Sequence, residues 1–410
     1  MTLPEITPQE QDEPKERLAH PFRSLQELLD YVSGKSLPPL EGEESGRAES
    51  IPFPFLAIVG QSEMKLALLL GLINPYIGGI LLIGPRGTAK TTAVRSLLEL
   101  LPNVERSLCY YGCLPEDIEA GGIDAVCPDC AKKYAEGKPL SAPDRVRLIE
   151  LPLNARLEDV VGGIDERGSI ANERLRVHRG ILAQADRNLL YIDEINLLPD
   201  EIIDAILDAA AQGAYTVRRG PVSATYRARF LLVGSMNPEE GRLRPQILDR
   251  FGLRVIVHGL VEPEQRLEAY RRVQAYFSNP RGVVNEFSEV MLAAAAEIQT
   301  ARDLLDHVEI PDETAKPAIA LIQNLGIDSL RAEITWFEAA RAYAAADGRT
   351  EVTGEDLRCV APMALRLRRS KFMLDFFNDQ ESEEKELVSL LSEAHFKGRT
   401  KRVKNKISRT

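Results

Sequence analysis

The stretch GGILLIGPRGTAKTTAVRSLLELL, Gly78 to Leu101, decides the fold. An apolar run ends at a glycine, a short polar loop follows, and a helical pattern begins near Lys90. This is the order of strand, phosphate-binding loop and helix. The loop runs from Gly84 through Pro85, Arg86, Gly87, Thr88 and Ala89, and its backbone N–H groups, which Pro85 lacks, can wrap an anion. Lys90 then reaches the β and γ phosphates of a nucleotide such as ATP. Thr91 offers its hydroxyl to Mg²⁺, and Thr92 completes a first turn whose dipole favours negative charge. The loop departs from the common pattern at Ala89, where glycine usually precedes the lysine. Alanine is acceptable there if the residue already has helical dihedrals, because only a positive φ demands glycine.

A loop of this kind needs partners from other strands. Further along comes LLYIDEINLL, in which an apolar run delivers Asp193 and Glu194 to a strand exit, the place where an open α/β sheet presents ligands. Asp193 suits Mg²⁺ held through its water shell, and Glu194 suits orienting or deprotonating an attacking water. The next strand ends VGSMNP, which sets Asn237 beside the carboxylates if the two strands are neighbours. It can contact the γ phosphate or the water there, or simply shape an Asn-Pro turn. In RPQILDRFGLRV, Arg250 precedes a strand; a guanidinium suits charge spread over phosphoryl oxygens, and its bland reading is a surface ion pair.

Around these motifs the chain has a two-part pattern. Apolar runs at 79–84, 147–152, 189–194, 228–237 and 253–259 alternate with helical periods, describing a five-stranded parallel α/β sheet covered on both faces. Beyond Pro263 the period is helical throughout, with Gly348 as a helix stop and Thr353 with Asp356 as a cap. The expected organisation is an acidic arm over 1–48 with one short helix near Leu25 to Tyr31, then an α/β domain over 49–262 with a Cys-rich insertion at 107–140. A helical domain over 263–378 follows, then a C-terminal helix and basic tail over 379–410.

Composition narrows the class. The 410 residues are 44% hydrophobic and 28% charged, ordinary for a soluble globular chain. No apolar run approaches the roughly 18 residues that span a bilayer. The amino terminus, MTLPEITPQEQDEPKE, has neither signal nor transit character, so a cytoplasmic location is expected. A net charge of −11 disfavours nucleic acid as the main partner, although Arg218, Arg219 and the basic tail KGRTKRVKNKISRT run against that trend.

Cys109, Cys113, Cys127 and Cys130 form a C-x3-C-x13-C-x2-C array. Paired short spacings suit tetrahedral Zn²⁺; redox-active thiols and unligated packing cysteines are the other two readings. Cys359, alone on a helical pattern, is expected in the core, and His178 reads as structural.

Taken together, IVGQ, GPRGTAK, LPLNARLEDVVGGID, HRGILAQADRNLLYIDEINLL, MNPEEGRLRPQILDRFGL and SLRAEI resemble an AAA+ ATPase, and more narrowly the ATPase (I) subunit of magnesium chelatase. The resemblance runs from Ile51 into the helical part and implies an AAA+ P-loop domain followed by a C-terminal helical lid. It implies that Arg250 is an arginine finger acting on ATP of the neighbouring subunit, that Asn237 is sensor 1, and that Arg331 is sensor 2, touching the γ phosphate of its own subunit. It puts Ile58 to Gln61 at the adenine and a hairpin at AYTVRRGPVSATYRARF. It further implies a homo-hexameric ring that works with a D subunit and a porphyrin-binding H subunit to insert Mg²⁺ into protoporphyrin IX for chlorophyll or bacteriochlorophyll. A MoxR-like chaperone, a cobalt-inserting relative and a minichromosome-maintenance type motor share many of these parts.

Overall fold

The computed structural model describes residues 51–101, 103–163, 179–219 and 222–369. The expectations placed on the acidic arm, on His178 and on the C-terminal tail lie outside those residues.

Among the described residues nine strands can be followed: β1 Ile80–Ile83, β2 Asn103–Ser107, β3 Ser141–Arg145, β4 Leu148–Glu150, β5 Leu189–Ile192, β6 Ala214–Arg219, β7 Val222–Arg227, β8 Leu231–Met236 and β9 Leu253–Ile256. Five of them form one sheet in the order β4-β5-β8-β1-β9, with every neighbouring pair parallel. These are the five apolar runs of the sequence. Both β1 and β5 are buried along their whole length, as strands covered on two faces must be. The period of two then divides the core: Ile80 and Leu82 join one cluster, while Leu81 and Ile83 join the other.

The order places β8 directly beside β1 and β5 beside β8, so the strand exits carrying Asn237 and Asp193 lie next to one another on one side of the phosphate-binding loop. Two antiparallel ribbons are additions to this frame. One is the β6–β7 hairpin, with Thr216 opposite Thr225, and the other pairs β2 with β3 and closes with Ser107 opposite Ser141. The second ribbon has no counterpart in the sequence reading. Its residues are mostly polar or prolyl and lack an alternating pattern.

Helices Pro263–Ser278, Pro280–Leu305, Asp312–Asn324, Arg331–Ala346 and Gly354–Leu365 make up the C-terminal part. Thr353 and Asp356 form the anticipated capping box, and Gly348 turns left-handed just past the preceding helix. Cys359 is exposed rather than in the core, because the apolar face of its helix is carried by Leu357, Val360, Met363 and Ala364. All of these helices except Pro263–Ser278 share a core with Ser62–Ile73 and with the face of the sheet bearing Ile80 and Leu82. Buried arginines lock them on: Arg368 donates to the carbonyls of Ala364, Phe251 and Gly252 and to Asp249, while Arg254 Nη1 reaches the Arg366 carbonyl at 2.8 Å.

The phosphate-binding loop corrects one expectation. Ala89 has φ 64° and ψ 20°, the left-handed conformation, and the helix starts only at Lys90. The idea that alanine is tolerated through helical dihedrals therefore does not hold; the loop adopts the glycine-demanding turn and strains the alanine into it. Gly84 is required for a different reason, since a Cβ there would lie 2.1 Å from the Val257 carbonyl.

Ala89→Gly removes that strain at the cost of extra freedom in the unfolded chain. The net gain is expected to be about 0.5–1 kcal/mol, read as a higher denaturant midpoint with an unchanged slope. A lower midpoint would show that the left-handed alanine is not a source of strain.

Candidate nucleotide site

At the carboxyl edge of the sheet, Lys90 is buried, and its Nζ donates to the carbonyls of Gly84 at 2.8 Å and Pro85 at 2.7 Å. Burial pushes its pKa down, partly offset by the carboxylates of Asp193, Glu194 and Glu240. Its ammonium is thus held inside the loop and faces a cluster of acidic groups across the cleft.

Asp193 is the most heavily bonded of these acids. Thr91 Oγ1 donates to its Oδ2 at 3.1 Å, Tyr191 OH donates to its Oδ1 at 2.9 Å, and the Ser235 hydroxyl also bonds Oδ1. Burial alone would raise its pKa, but the bonds from Ser235, Tyr191, Thr91 and the Glu194 N–H outweigh it and hold the carboxyl ionised. Tyr191 is pushed the other way by burial and keeps the proton it donates. Tyr191 and Ser235 were missed by sequence reasoning, although a signal existed. Each lies two residues before a selected polar residue, Asp193 or Asn237, and a strand's period of two puts such pairs on one face.

Glu194 has φ 50° and its N–H donates to Ser235 Oγ at 3.1 Å. Its carboxylate pairs with Arg86 at 2.9 Å, and Arg86 also pairs with Glu240. With Arg86 68% exposed, this contact contributes at most ~1 kcal/mol and is easily exchanged for another partner. Buried Asn237 accepts from the Glu239 N–H at 3.2 Å, and its own carbonyl accepts from Asn196.

Residues Arg86 to Thr92, Asp193, Glu194, Ser235 and Asn237 line a cavity of about 200 Å³. Gly87, Thr88, Ala89 and Thr92 also line an adjoining apolar cavity of about 370 Å³. Ile58 and Gln61 contribute to that second cavity, with Gln61 Nε2 donating to the His258 carbonyl at 2.7 Å. Phe53, Val273, Tyr276 and Phe277 complete it. The last three come from helix Pro263–Ser278, whose pattern in sequence signals only amphipathicity, so their role in a cleft was not legible.

Arg250 and Arg331 lie elsewhere. Both line a cavity of about 300 Å³ with Gly78, Gly79, Leu231 and Leu232, residues at the amino ends of β1 and β8. Four strand residues separate that edge from the Lys90 edge, roughly 13 Å at 3.3 Å per residue. Arg250 pairs with Asp204 at 2.9 Å and Asp208 at 3.1 Å; Arg331 contacts Asp249 at 3.5 Å. The expectation that Arg331 touches a phosphate held by its own Lys90 is therefore not met. Helix Arg331–Ala346 packs behind the sheet instead of over the loop.

The four insertion cysteines converge, with their Sγ atoms all within 4.8 Å of one another. This cluster is separate from the residues lining the Lys90 cavity. Among the described residues, no helix is long and apolar enough to cross a membrane.

Known proteins resemble this chain along most of its length. Residues 166–246 match the family described as magnesium chelatase, subunit ChlI, and residues 316–389 match the AAA lid domain. The magnesium-chelatase subunit ChlI homolog of Methanocaldococcus jannaschii is 43% identical over 81% of this chain and 90% of its own length. The magnesium-chelatase 38 kDa subunit of Acidiphilium rubrum is 42% identical over 83% of this chain and 98% of its own. A chain from a cryo-EM-based structure of the complex between subunits BchI and BchD of magnesium chelatase is 41% identical, covering 78% of this chain and 97% of that one, at a TM-score of 0.45. With a five-stranded parallel sheet, a phosphate-binding loop and relatives above 40% identity along most of its length, this chain belongs to the magnesium chelatase subunit ChlI family of AAA+ ATPases.

Proposed function

We propose that this chain is the ATP-hydrolysing motor subunit of a magnesium chelatase, and that its catalytic sites form between neighbouring copies. The observation that carries the reading is the separation of Lys90 and Arg250 to opposite edges of one sheet. A guanidinium so placed is useless to its own loop and available to the next subunit's. The donor set at the carboxyl edge suits Mg·ATP: a loop of backbone N–H groups, a buried ammonium, and a hydroxyl already bonded to an ionised carboxylate.

Bound Mg·ATP supplies the phosphoanhydride and the metal charge that screens it. Lys90 exchanges its loop carbonyls for phosphate oxygens, and Thr91 with Asp193 orients the metal's shell. Tyr191 and Ser235 position Asp193 by bonding Oδ1, the oxygen that Thr91 does not take. Glu194 leaves Arg86, orients a water and takes its proton, and Asn237 holds the same water or the γ phosphate. Arg250 and Arg331 of one copy stabilise charge on the nucleotide of the next. The cavity lined by Ile58, Gln61 and Tyr276 takes the adenine.

In this reading a homo-hexameric ring works with a D subunit and a porphyrin-binding H subunit, and its ATP turnover drives Mg²⁺ into protoporphyrin IX. Support for that assignment over a MoxR-like chaperone or a cobalt-inserting relative comes from the magnesium-chelatase names of the relatives that match most of the chain.

Glu194→Gln is expected to bind ATP with near wild-type affinity while turnover falls by about 10²–10⁴-fold, because binding uses Lys90 and the metal but the water loses its base. Unchanged turnover would remove Glu194 from the mechanism. Arg250→Ala and Lys90→Ala should each be inactive alone. Mixed in one ring they should regain part of the activity, since some interfaces then combine an intact loop with an intact arginine. A verified mixed ring without any recovery would contradict catalysis across the interface.

A further inference from the structure

The insertion closed by β2 and β3 holds chemistry that ATP hydrolysis does not use. Cys109 and Cys113 come from the loop after β2; Cys127 caps helix Pro128–Ala135 and Cys130 lies in its first turn. Their Sγ atoms approach to 3.7 Å for Cys109 with Cys113 and 3.5 Å for Cys109 with Cys127. A disulfide would need ~2.05 Å, and all four cysteines are free. Four sulfurs on a tetrahedron at a Zn–S distance of ~2.3 Å stand ~3.8 Å apart. The observed cluster has that size, and it is too tight to straddle two or more iron atoms.

Two further observations point to thiolate ligands. The backbone N–H of Tyr111 donates to Cys109 Sγ at 3.2 Å, and that of Cys127 donates to Cys113 Sγ at 3.4 Å. Such donors stabilise negative sulfur and orient ligands around a metal. The insertion also has a small core of its own: with the cysteines cluster only Ile118, Leu140 and Val126, and Leu114 is buried beside Cys113 in sequence. The β2–β3 pairing closes its base and ion pairs of Glu116 and Asp117 tie its edge to the sheet, so a metal would staple the end that carries the cysteines.

We propose that Cys109, Cys113, Cys127 and Cys130 bind one structural Zn²⁺, and that this zinc knuckle braces the β6–β7 hairpin against the nucleotide-binding sheet. On binding, four S–H bonds give up their protons to solvent and four S–Zn bonds form, with no change of oxidation state. The bracing runs through named contacts. Asp117 pairs with Arg229 at 3.2 Å and Arg227 at 3.4 Å, Arg227 donates to the Ala125 carbonyl, and Arg229 donates to the Gly112 carbonyl. Arg229 also holds Asp186, just before β5, at 3.3 Å. The knuckle thereby grips the chain where β7 leads into β8 and where β5 begins.

The test uses the full chain purified without chelator. Elemental analysis should find one zinc per chain, and titration of wild-type thiols with a mercurial should release it. Replacement by Co²⁺ should give the intense visible bands of a tetrahedral thiolate site. The combined Cys127→Ser and Cys130→Ser variant should lose the metal, and the wild-type measurements stand if that variant does not fold. Metal removal should raise amide exchange across 107–140 and at Tyr226 to Arg229. Five freely titrating thiols with no metal, the four of the cluster and exposed Cys359, or iron in place of zinc, or a mass deficit from disulfides would each overturn the site. Unchanged exchange at Tyr226 to Arg229 would overturn the bracing.

Discussion

Asp249 meets three guanidiniums, those of Arg368 at 3.0 Å, Arg331 at 3.5 Å and Arg254 at 3.6 Å, and the placement of the helical part follows from that meeting. Arg254 is wholly buried and its pKa is lowered to about 9, first by burial and then by Arg368. A buried cation group of this kind is tolerated only while its carboxylate and carbonyl partners stay in place, and losing one costs several kcal/mol. The network ties the segment just after helix Gly354–Leu365 to the start of β9. It therefore fixes Arg331 and Arg250 at the amino edge of the sheet, out of reach of their own Lys90.

The opposite edge is organised by a second carboxylate. Asp193 receives Thr91, Tyr191 and Ser235 from three separate elements, so the Thr91 hydroxyl is oriented by the sheet itself. Strain gathers at the same place. Five non-glycine residues among those described have positive φ, and three of them, Gln61, Ala89 and Glu194, line the nucleotide cleft. Such conformations cost ~1–3 kcal/mol each and persist where surrounding structure over-determines them. In the case of Glu194, the left-handed turn lets the carboxylate face the loop while its N–H is held by Ser235.

Much of this was legible in the residues. Fully buried parallel strands read as unbroken apolar runs, and five such runs became the five strands of the sheet. The pairing of Lys90 and Thr91 with Asp193 was readable because both motifs sit at strand exits, whose common edge is a rule of parallel α/β folds. The β2–β3 ribbon was not readable, since its polar and prolyl residues are held by pairing rather than by burial. Tyr276 and Phe277 were hidden for a related reason: an amphipathic helix shows that a face is covered but not by what.

By itself, then, the sequence determined the chemistry at each strand end, because side-chain identity and backbone periodicity are local properties. It also determined that four cysteines at paired short spacings were available as ligands. Only the tertiary structure decided that Ala89 is left-handed, that Glu194 is paired with Arg86, and that the cysteines meet within one small volume. It also decided that Arg331 faces away from its own loop. That last outcome depends on which side of the sheet the helical part packs against, which is settled by Asp249 and buried arginines drawn from segments more than a hundred residues apart.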